Sequence, residues 1–179
     1  MKSLLTLTLI IFAIILQSCD ERISPIQNAP FEVEPPTRTE LLTANSWQYN
    51  EVILKGGSVT KIAFSKIANP IVGINSDYAK TTVVYKVDGS AEKNVSGSVQ
   101  KVTWKFLNNE TQIETTSIDG KLKLLYSIDI LTKDNLNITN ISTKAFFNDD
   151  PYWIGYVTNL GLPNTITEFS TIFKFIPAK

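Results

Sequence analysis

Histidine is absent from the 179 residues of the chain, and cysteine occurs once. Without histidine, the commonest general base and metal ligand is missing, and so is every Ser-His or Cys-His pair in its usual form. A single cysteine excludes a disulfide within the chain and a zinc site built from cysteines. No nucleophile motif offsets these absences. We therefore expect no catalytic residues, no cofactor and no metal site, and the chain is predicted not to be an enzyme.

Excess charge of one sign is also missing, because 17 basic side chains balance 17 acidic ones. Nucleic-acid binding requires a basic face that neutralises phosphates, so nucleic acid is not an expected partner. The same balance argues against electrostatic capture by anionic lipid. Hydrophobic residues make up 43% of the chain, with nine Phe, six Tyr and three Trp. This content is sufficient for one packed domain.

The chain contains one long uncharged hydrophobic run, residues 4–16, which follows Lys2. A helix of about 13 residues is roughly 20 Å long, which is short of the hydrocarbon core of about 30 Å. A positive residue followed by a short apolar segment is typical of a signal peptide rather than of a permanent membrane span.

The run ends in Leu16-Gln17-Ser18-Cys19, which resembles the lipobox of bacterial lipoproteins, where signal peptidase II cleaves before a lipid-modified cysteine. The resemblance implies that acyl chains such as palmitate are attached at Cys19. The expected partner is therefore a membrane, to which this N-terminal lipid anchors the protein. The resemblance also implies a location in the bacterial cell envelope, with the outer membrane favoured over the inner. The acidic residues Asp20 and Glu21 then affect sorting. The alternative is an ordinary secretory signal in which the cysteine is incidental.

Prolines interrupt the segment that follows, at positions 25, 30, 35 and 36. Because proline fixes φ and disfavours helix, this segment is predicted to be an extended tether. Three parts are therefore expected: a lipoprotein signal peptide at 1–18, a lipidated N-terminus and flexible tether at 19–40, and a folded domain at 41–179.

Beyond residue 41, apolar and polar residues alternate with the period of two that is typical of β-strands. One run places Val102, Trp104 and Phe106 on one face of a sheet. A second run places five apolar residues on one face: Leu122, Leu124, Tyr126, Ile128 and Ile130. No helix of three turns is predicted after residue 41, and only a short turn of helix is expected within residues 39–45.

Turn signals separate the predicted strands: Asp88-Gly89, Asn108-Asn109, Asp119-Gly120 and Asp134-Asn135. Such pairs tolerate the positive φ of tight hairpins, and short connections favour antiparallel pairing. The predicted fold is all-β, an antiparallel meander that closes into a barrel of about eight strands. Asn148, Asp149 and Asp150 before Pro151 are interpreted as another turn rather than a calcium site.

The domain opens with Leu41-Leu42-Thr43-Ala44-Asn45-Ser46-Trp47 and later contains Val102-Thr103-Trp104-Lys105-Phe106, Asp119-Gly120 and the strand segment 126–136. These segments resemble those of the lipocalin-like lipoproteins common in Bacteroidetes. The resemblance covers most of residues 41–142 and implies a lipocalin-like barrel. It does not carry over a ligand.

Aromatic residues on the predicted strands are the candidates for a ligand pocket: Tyr49, Tyr85, Trp104 and Tyr126. The alternative is that such large side chains fill the barrel, and the family resemblance implies that Trp47 plugs it. Tyr152, Trp153 and Tyr156 are predicted to lie on a loop, either as a contact for a partner or glycan or as a lid packed on the barrel.

These patterns favour a non-catalytic, lipid-anchored cell-envelope protein that binds a small apolar ligand or a protein partner through its barrel. The alternative is a structural or interaction subunit of a surface complex, with a filled core. An apolar cavity of several hundred cubic ångströms would favour the first function. A solid core with an exposed aromatic patch would favour the second.

Overall fold

A computed structural model describes residues 34–66, 76–146 and 150–179. Cys19, the predicted signal peptide and most of the predicted tether lie outside the described residues. The helices and strands all belong to one compact unit, Pro36–Lys179. None of the helices in the described ranges combines the length and hydropathy that a membrane crossing requires.

The described residues form nine strands and two α-helices, with two short 3-10 helices at Ser76–Lys80 and Lys144–Phe146. The strands are β1 Ser46–Gly56, β2 Val59–Ser65, β3 Thr81–Tyr85, β4 Ser90–Val95, β5 Ser98–Leu107, β6 Gln112–Ser117, β7 Lys123–Leu131, β8 Leu136–Thr143 and β9 Glu168–Pro177. The α-helices are α1 Arg38–Thr43 and α2 Asp150–Asn159.

Pairing between the first and last strands closes the sheet into a barrel. Strand β1 pairs with β9 along residues 47–55, while β3 to β9 pair in chain order, and every pairing is antiparallel. On its other edge, β1 pairs with β3 over residues 46–48 and with β2 over residues 51–56. The predicted all-β, antiparallel barrel is therefore confirmed: eight strands form the closed ring, and β2 is an additional strand. Closure removes the exposed strand edges that an open meander leaves.

Helix α1 covers one end of the barrel, where the chain enters β1. Its first turn is stabilised by a capping box, in which the Glu40 amide donates to the Thr37 hydroxyl at 3.2 Å and the Thr37 amide donates to the Glu40 carboxylate at 2.7 Å. The Arg38 side chain donates to the carbonyl of Glu110 in the β5–β6 turn. Residues 38–40, which the sequence assigned to the tether, thus form the first turn of this helix.

The predicted turns join β3 to β4, β5 to β6, β6 to β7 and β7 to β8. In the β5–β6 turn, Asn108 and Asn109 both have positive φ, 51° and 54°, as the sequence predicts. Three of these turns, at 86–89, 108–111 and 132–135, lie at the α1 end of the barrel because the strands alternate in direction. The opposite end carries the β4–β5 and β6–β7 turns and α2.

Helix α2 shows that the prediction of a loop around Tyr152, Trp153 and Tyr156 is wrong. Proline at the second position of the helix is favourable, since its fixed φ suits the first turn and its missing N–H has no partner to lose there. The helix ends in a Schellman motif: Gly161 has φ of 65°, and the Leu162 amide donates to the Val157 carbonyl at 2.8 Å. Asn148 and Asp149 of the predicted turn lie outside the described residues.

A β-bulge corrects the predicted face of β7. The pairing with β8 shifts between Ile128 and Ile130, so residues beyond the bulge change sides. Ile130 is 45% exposed instead of facing the core, and Leu131 is buried in its place. Strict alternation holds on β5, where Val102, Trp104 and Phe106 contact the core as predicted.

The bulge predicts unequal stability costs for two neighbouring alanine substitutions. We expect Leu131→Ala to lower the free energy of unfolding by about 2–3 kcal/mol, because it leaves a cavity in the core. Ile130→Ala should cost less than about 1 kcal/mol, because Ile130 is 45% exposed and lies outside the core. Urea denaturation of both variants measures the difference. Equal costs, or a larger cost at Ile130, would contradict the register.

Candidate ligand cavity

The barrel contains a cavity of about 200 Å³ toward the end opposite α1. Gln100 and Leu122 line it and are themselves exposed, so the cavity opens to solvent near the β4–β5 and β6–β7 turns. Its walls come from the inward-facing residues of the barrel strands. Below it, toward α1, the barrel is filled by side chains that include the fully buried Trp47 and Ile113.

Strand register arranges one wall of the cavity in two rows. Tyr85 pairs with Ala91, which pairs with Val102, so a largely apolar row crosses β3, β4 and β5. The next row toward the opening consists of Val83, Lys93 and Gln100 on the same strands. Because Ala91 is small, the strand that carries it leaves room between its larger neighbours. The wall thus becomes more polar toward the opening.

The wall formed by β1 and β9 is aromatic. Tyr49 on β1 pairs with Phe175 on β9, and their ring centroids lie 4.4 Å apart. Tyr49 also contacts Phe173 at 5.7 Å and Tyr78, from the 3-10 helix before β3, edge-on at 5.0 Å. Offset and edge-to-face contacts of this kind fix the orientation of the rings. Such a wall presents rigid apolar faces to whatever occupies the cavity.

Three tyrosines line this cavity: Tyr49, Tyr85 and Tyr126. Burial raises the pKa of all three phenols, and the proximity of Tyr126 raises those of Tyr49 and Tyr85 further. They are therefore neutral at physiological pH. Within the described residues, the hydroxyls of Tyr49 and Tyr85 make no hydrogen bond, and no fully buried side-chain oxygen lacks a partner. Both hydroxyls thus border open space in the barrel.

The structure brings together three of the four residues that the sequence nominated for ligand binding. Trp104, the fourth, does not line the cavity. It is buried toward the α1 end, where it contacts Tyr85 and Phe106 edge-on and donates from Nε1 to the carbonyl of Lys86 at 3.0 Å. Through the contact with Tyr85 it supports the cavity wall from below.

Lys93 is the inward-facing charged residue of the cavity, and the sequence analysis did not single it out. It is half-buried, and within the described part of the chain its ammonium group makes no hydrogen bond or ion pair. Burial lowers its pKa, since removing an ammonium group from water disfavours the charged form. The signal in the sequence is its phase: on β4 it shares a face with Ala91, which is fully inside.

Glu92 also borders the cavity, but its carboxylate is engaged elsewhere. It accepts a hydrogen bond from the Lys86 ammonium at 2.7 Å, and this ion pair, with Lys101 nearby, lowers the pKa of Glu92. Alternation on β4 directs Glu92 away from the face that carries Lys93. Among the described residues that line the cavity, Lys93 is thus the one whose charge faces inward.

The cavity volume limits what the barrel can hold. About 200 Å³ is below the range of roughly 300–1,000 Å³ that is typical of drug-sized ligands. It exceeds the roughly 150 Å³ of a protein cavity that is known to bind benzene. The barrel is therefore neither fully plugged nor wide open. Its free space fits one aromatic ring with a short substituent, or a short alkyl chain.

Helix α2 offers a second surface. Trp153 is fully buried, packs against Phe169 at 5.8 Å and donates from Nε1 to the Ile166 carbonyl at 2.9 Å. The residues next to Trp153 on either side of it around the helix are exposed, Tyr152 to 64% and Ile154 to 41%. Trp153 thus belongs to the core, while its two neighbours are exposed apolar residues.

Comparison with known proteins does not identify a family. No family model matches the chain, and no curated protein is significantly similar to it.

Proposed function

We propose that this chain is a lipid-anchored protein of the bacterial cell envelope whose lipocalin-like barrel binds a small apolar molecule. The observation that carries the binding part of the proposal is the cavity of about 200 Å³ lined by Tyr49, Tyr85 and Tyr126. Burying one ring of a ligand against such a wall removes apolar surface from water on both sides. Lipid anchoring and the envelope location rest on the lipobox at Cys19.

The three tyrosines of the cavity wall are suited to binding rather than to acid–base catalysis. Catalytic acids and bases work best with a pKa near the operating pH. The three cavity tyrosines have pKa values raised from the ordinary value of 10, away from that range. Their hydroxyls serve instead as neutral hydrogen-bond donors and acceptors that orient a ligand.

The second candidate function is an interaction subunit of a surface complex. The exposed apolar residues of α2, which include Tyr152 and Ile154, are the observation that favours it. Native mass spectrometry of the protein from its own host separates the two functions. A co-purifying small molecule of the size of one ring supports ligand binding, whereas a co-purifying protein with an empty barrel supports the alternative.

A cavity-filling substitution tests where the ligand binds. We expect Val102→Phe to weaken binding of the neutral probe 3-phenylpropionamide by about tenfold or more, because the ring of the introduced phenylalanine occupies much of the cavity. Val99→Phe is the matched control: it makes the same change on the same strand, at a position that is 51% exposed and faces outward. Its affinity should equal that of the wild type.

Isothermal titration calorimetry measures both affinities, and thermal melting verifies that both variants fold. If Val102→Phe binds the probe as tightly as the wild type, the ligand does not occupy this cavity.

A further inference from the structure

The row of residues nearest the opening of the cavity, Val83, Lys93 and Gln100, indicates which ligand the cavity suits. Lys93 stands directly opposite Val83 on one side and Gln100 on the other. Its side chain therefore lies beside the solvent-exposed Gln100, one row nearer the opening than the apolar residues Ala91 and Val102. This is the boundary at which the polar end of an amphipathic molecule would sit if its apolar end filled the cavity.

The charge at this boundary is uncompensated by the described residues. The remaining lining is apolar or neutral, and the carboxylate of Glu92 is paired with Lys86 on the other face of β4. A half-buried cation without a partner is unfavourable because it loses hydration and gains no opposing charge. An anionic group at the cavity mouth would remove this cost and gain a charge-assisted hydrogen bond.

Gln100 adds a neutral donor next to the cation. A carboxylate has two acceptor oxygens, and the amide of Gln100 carries two N–H donors. A carboxylate at the mouth can therefore accept one hydrogen bond from Lys93 and another from Gln100. A cationic ligand would instead be repelled by Lys93.

We infer that the ligand is a small amphipathic carboxylate whose apolar body fills the cavity among the tyrosines and whose anionic head binds Lys93 and Gln100. This inference rests on the proposed binding function and names its ligand class. The volume of about 200 Å³ restricts the body to one ring or a short chain.

The test uses three probes of nearly equal shape: 3-phenylpropionate, its neutral amide and the cationic 3-phenylpropylamine. Calorimetry on the wild-type protein near pH 7 should give an affinity for the carboxylate about tenfold higher than for the amide, and weakest binding for the amine. The same titrations are repeated with Lys93→Met, Lys93→Arg and Lys101→Met.

Lys93→Met keeps an unbranched apolar side chain but removes the charge, so we expect the carboxylate and the amide to bind it equally. Lys93→Arg retains a cation and should keep the preference for the carboxylate. Lys101→Met is the matched control, because it removes a lysine from the exposed face of the neighbouring strand. It should leave the preference unchanged.

The outcomes separate this inference from the proposed function. Suppose that the wild type binds the amide, that Val102→Phe weakens this binding, and that the carboxylate binds no more tightly than the amide. The proposed binding function then stands, and the inference about Lys93 is wrong. A preference that persists in Lys93→Met also overturns the inference. If none of the three probes binds the wild type, both the inference and the proposed binding function fail.

Discussion

Replacement of Trp47 by alanine should lower the free energy of unfolding by about 3–5 kcal/mol. Trp47 is 0% exposed and lies on β1 at the end of the barrel that α1 covers. Its indole Nε1 donates to the carbonyl of Leu42 in α1 at 2.8 Å, so the same side chain fills the barrel and holds the helix. Truncation leaves both a large void and a carbonyl without its partner.

This loss is large because small domains have only about 5–15 kcal/mol of stability in total. Urea denaturation followed by tyrosine fluorescence and far-ultraviolet circular dichroism measures it. Trp47→Phe is the graded control: it keeps most of the ring volume and loses the N–H donor, so we expect a cost of about 1–3 kcal/mol. A cost below about 1 kcal/mol for Trp47→Ala would show that this end of the barrel does not depend on the indole.

The fold was predictable because a half-buried strand needs side chains of opposite character on its two faces. That requirement leaves a period of two in the sequence, and on β5 the inward residues Val102, Trp104 and Phe106 follow it without interruption. The turns were predictable for an equally local reason, since few residues tolerate positive φ as Asn108 and Asn109 do. Strand number and antiparallel pairing follow from these two signals.

Features that depend on tertiary contacts were not predictable from the same signals. The bulge between Ile128 and Ile130 is a property of the pairing of β7 with β8, and both residues are isoleucine. Helix α2 has apolar residues on its buried and exposed sides alike, as Trp153 and Tyr152 illustrate, so it lacks the one-sided apolar stripe of a typical surface helix. Its Asp150-Pro151 start resembles a turn because proline suits both.

The candidate site was predicted in part for the same reason. Alternation indicates that Tyr49, Tyr85 and Tyr126 face inward, and all three do line the cavity. It cannot tell whether inward residues leave free space, because that depends on how side chains from all the barrel strands fit together. Ala91 leaves space at the cavity wall, whereas Trp104 fills the barrel nearer to α1, although both face inward.

The second prediction of large effect concerns the membrane anchor. Cys19→Ser should abolish incorporation of radiolabelled palmitate and leave residues 1–18 uncleaved. In the proposed maturation, the thiol of Cys19 accepts a diacylglyceryl group before cleavage, and a serine hydroxyl is a much weaker nucleophile than a cysteine thiolate. One acyl chain binds membranes only marginally, with an association constant of about 10⁴ M⁻¹, whereas two or more hold a protein stably. The substitution removes all of them at once.

Ser18→Ala is the matched control, because it changes the adjacent residue but keeps it small, as the lipobox resemblance requires. It should retain the palmitate label and lose residues 1–18. Autoradiography of the labelled protein and mass determination of its N-terminus distinguish the results. Label that persists in Cys19→Ser would show that the lipid is attached elsewhere. A wild-type protein that is cleaved but unlabelled would show that the leader is an ordinary secretory signal, and the barrel would then work unanchored.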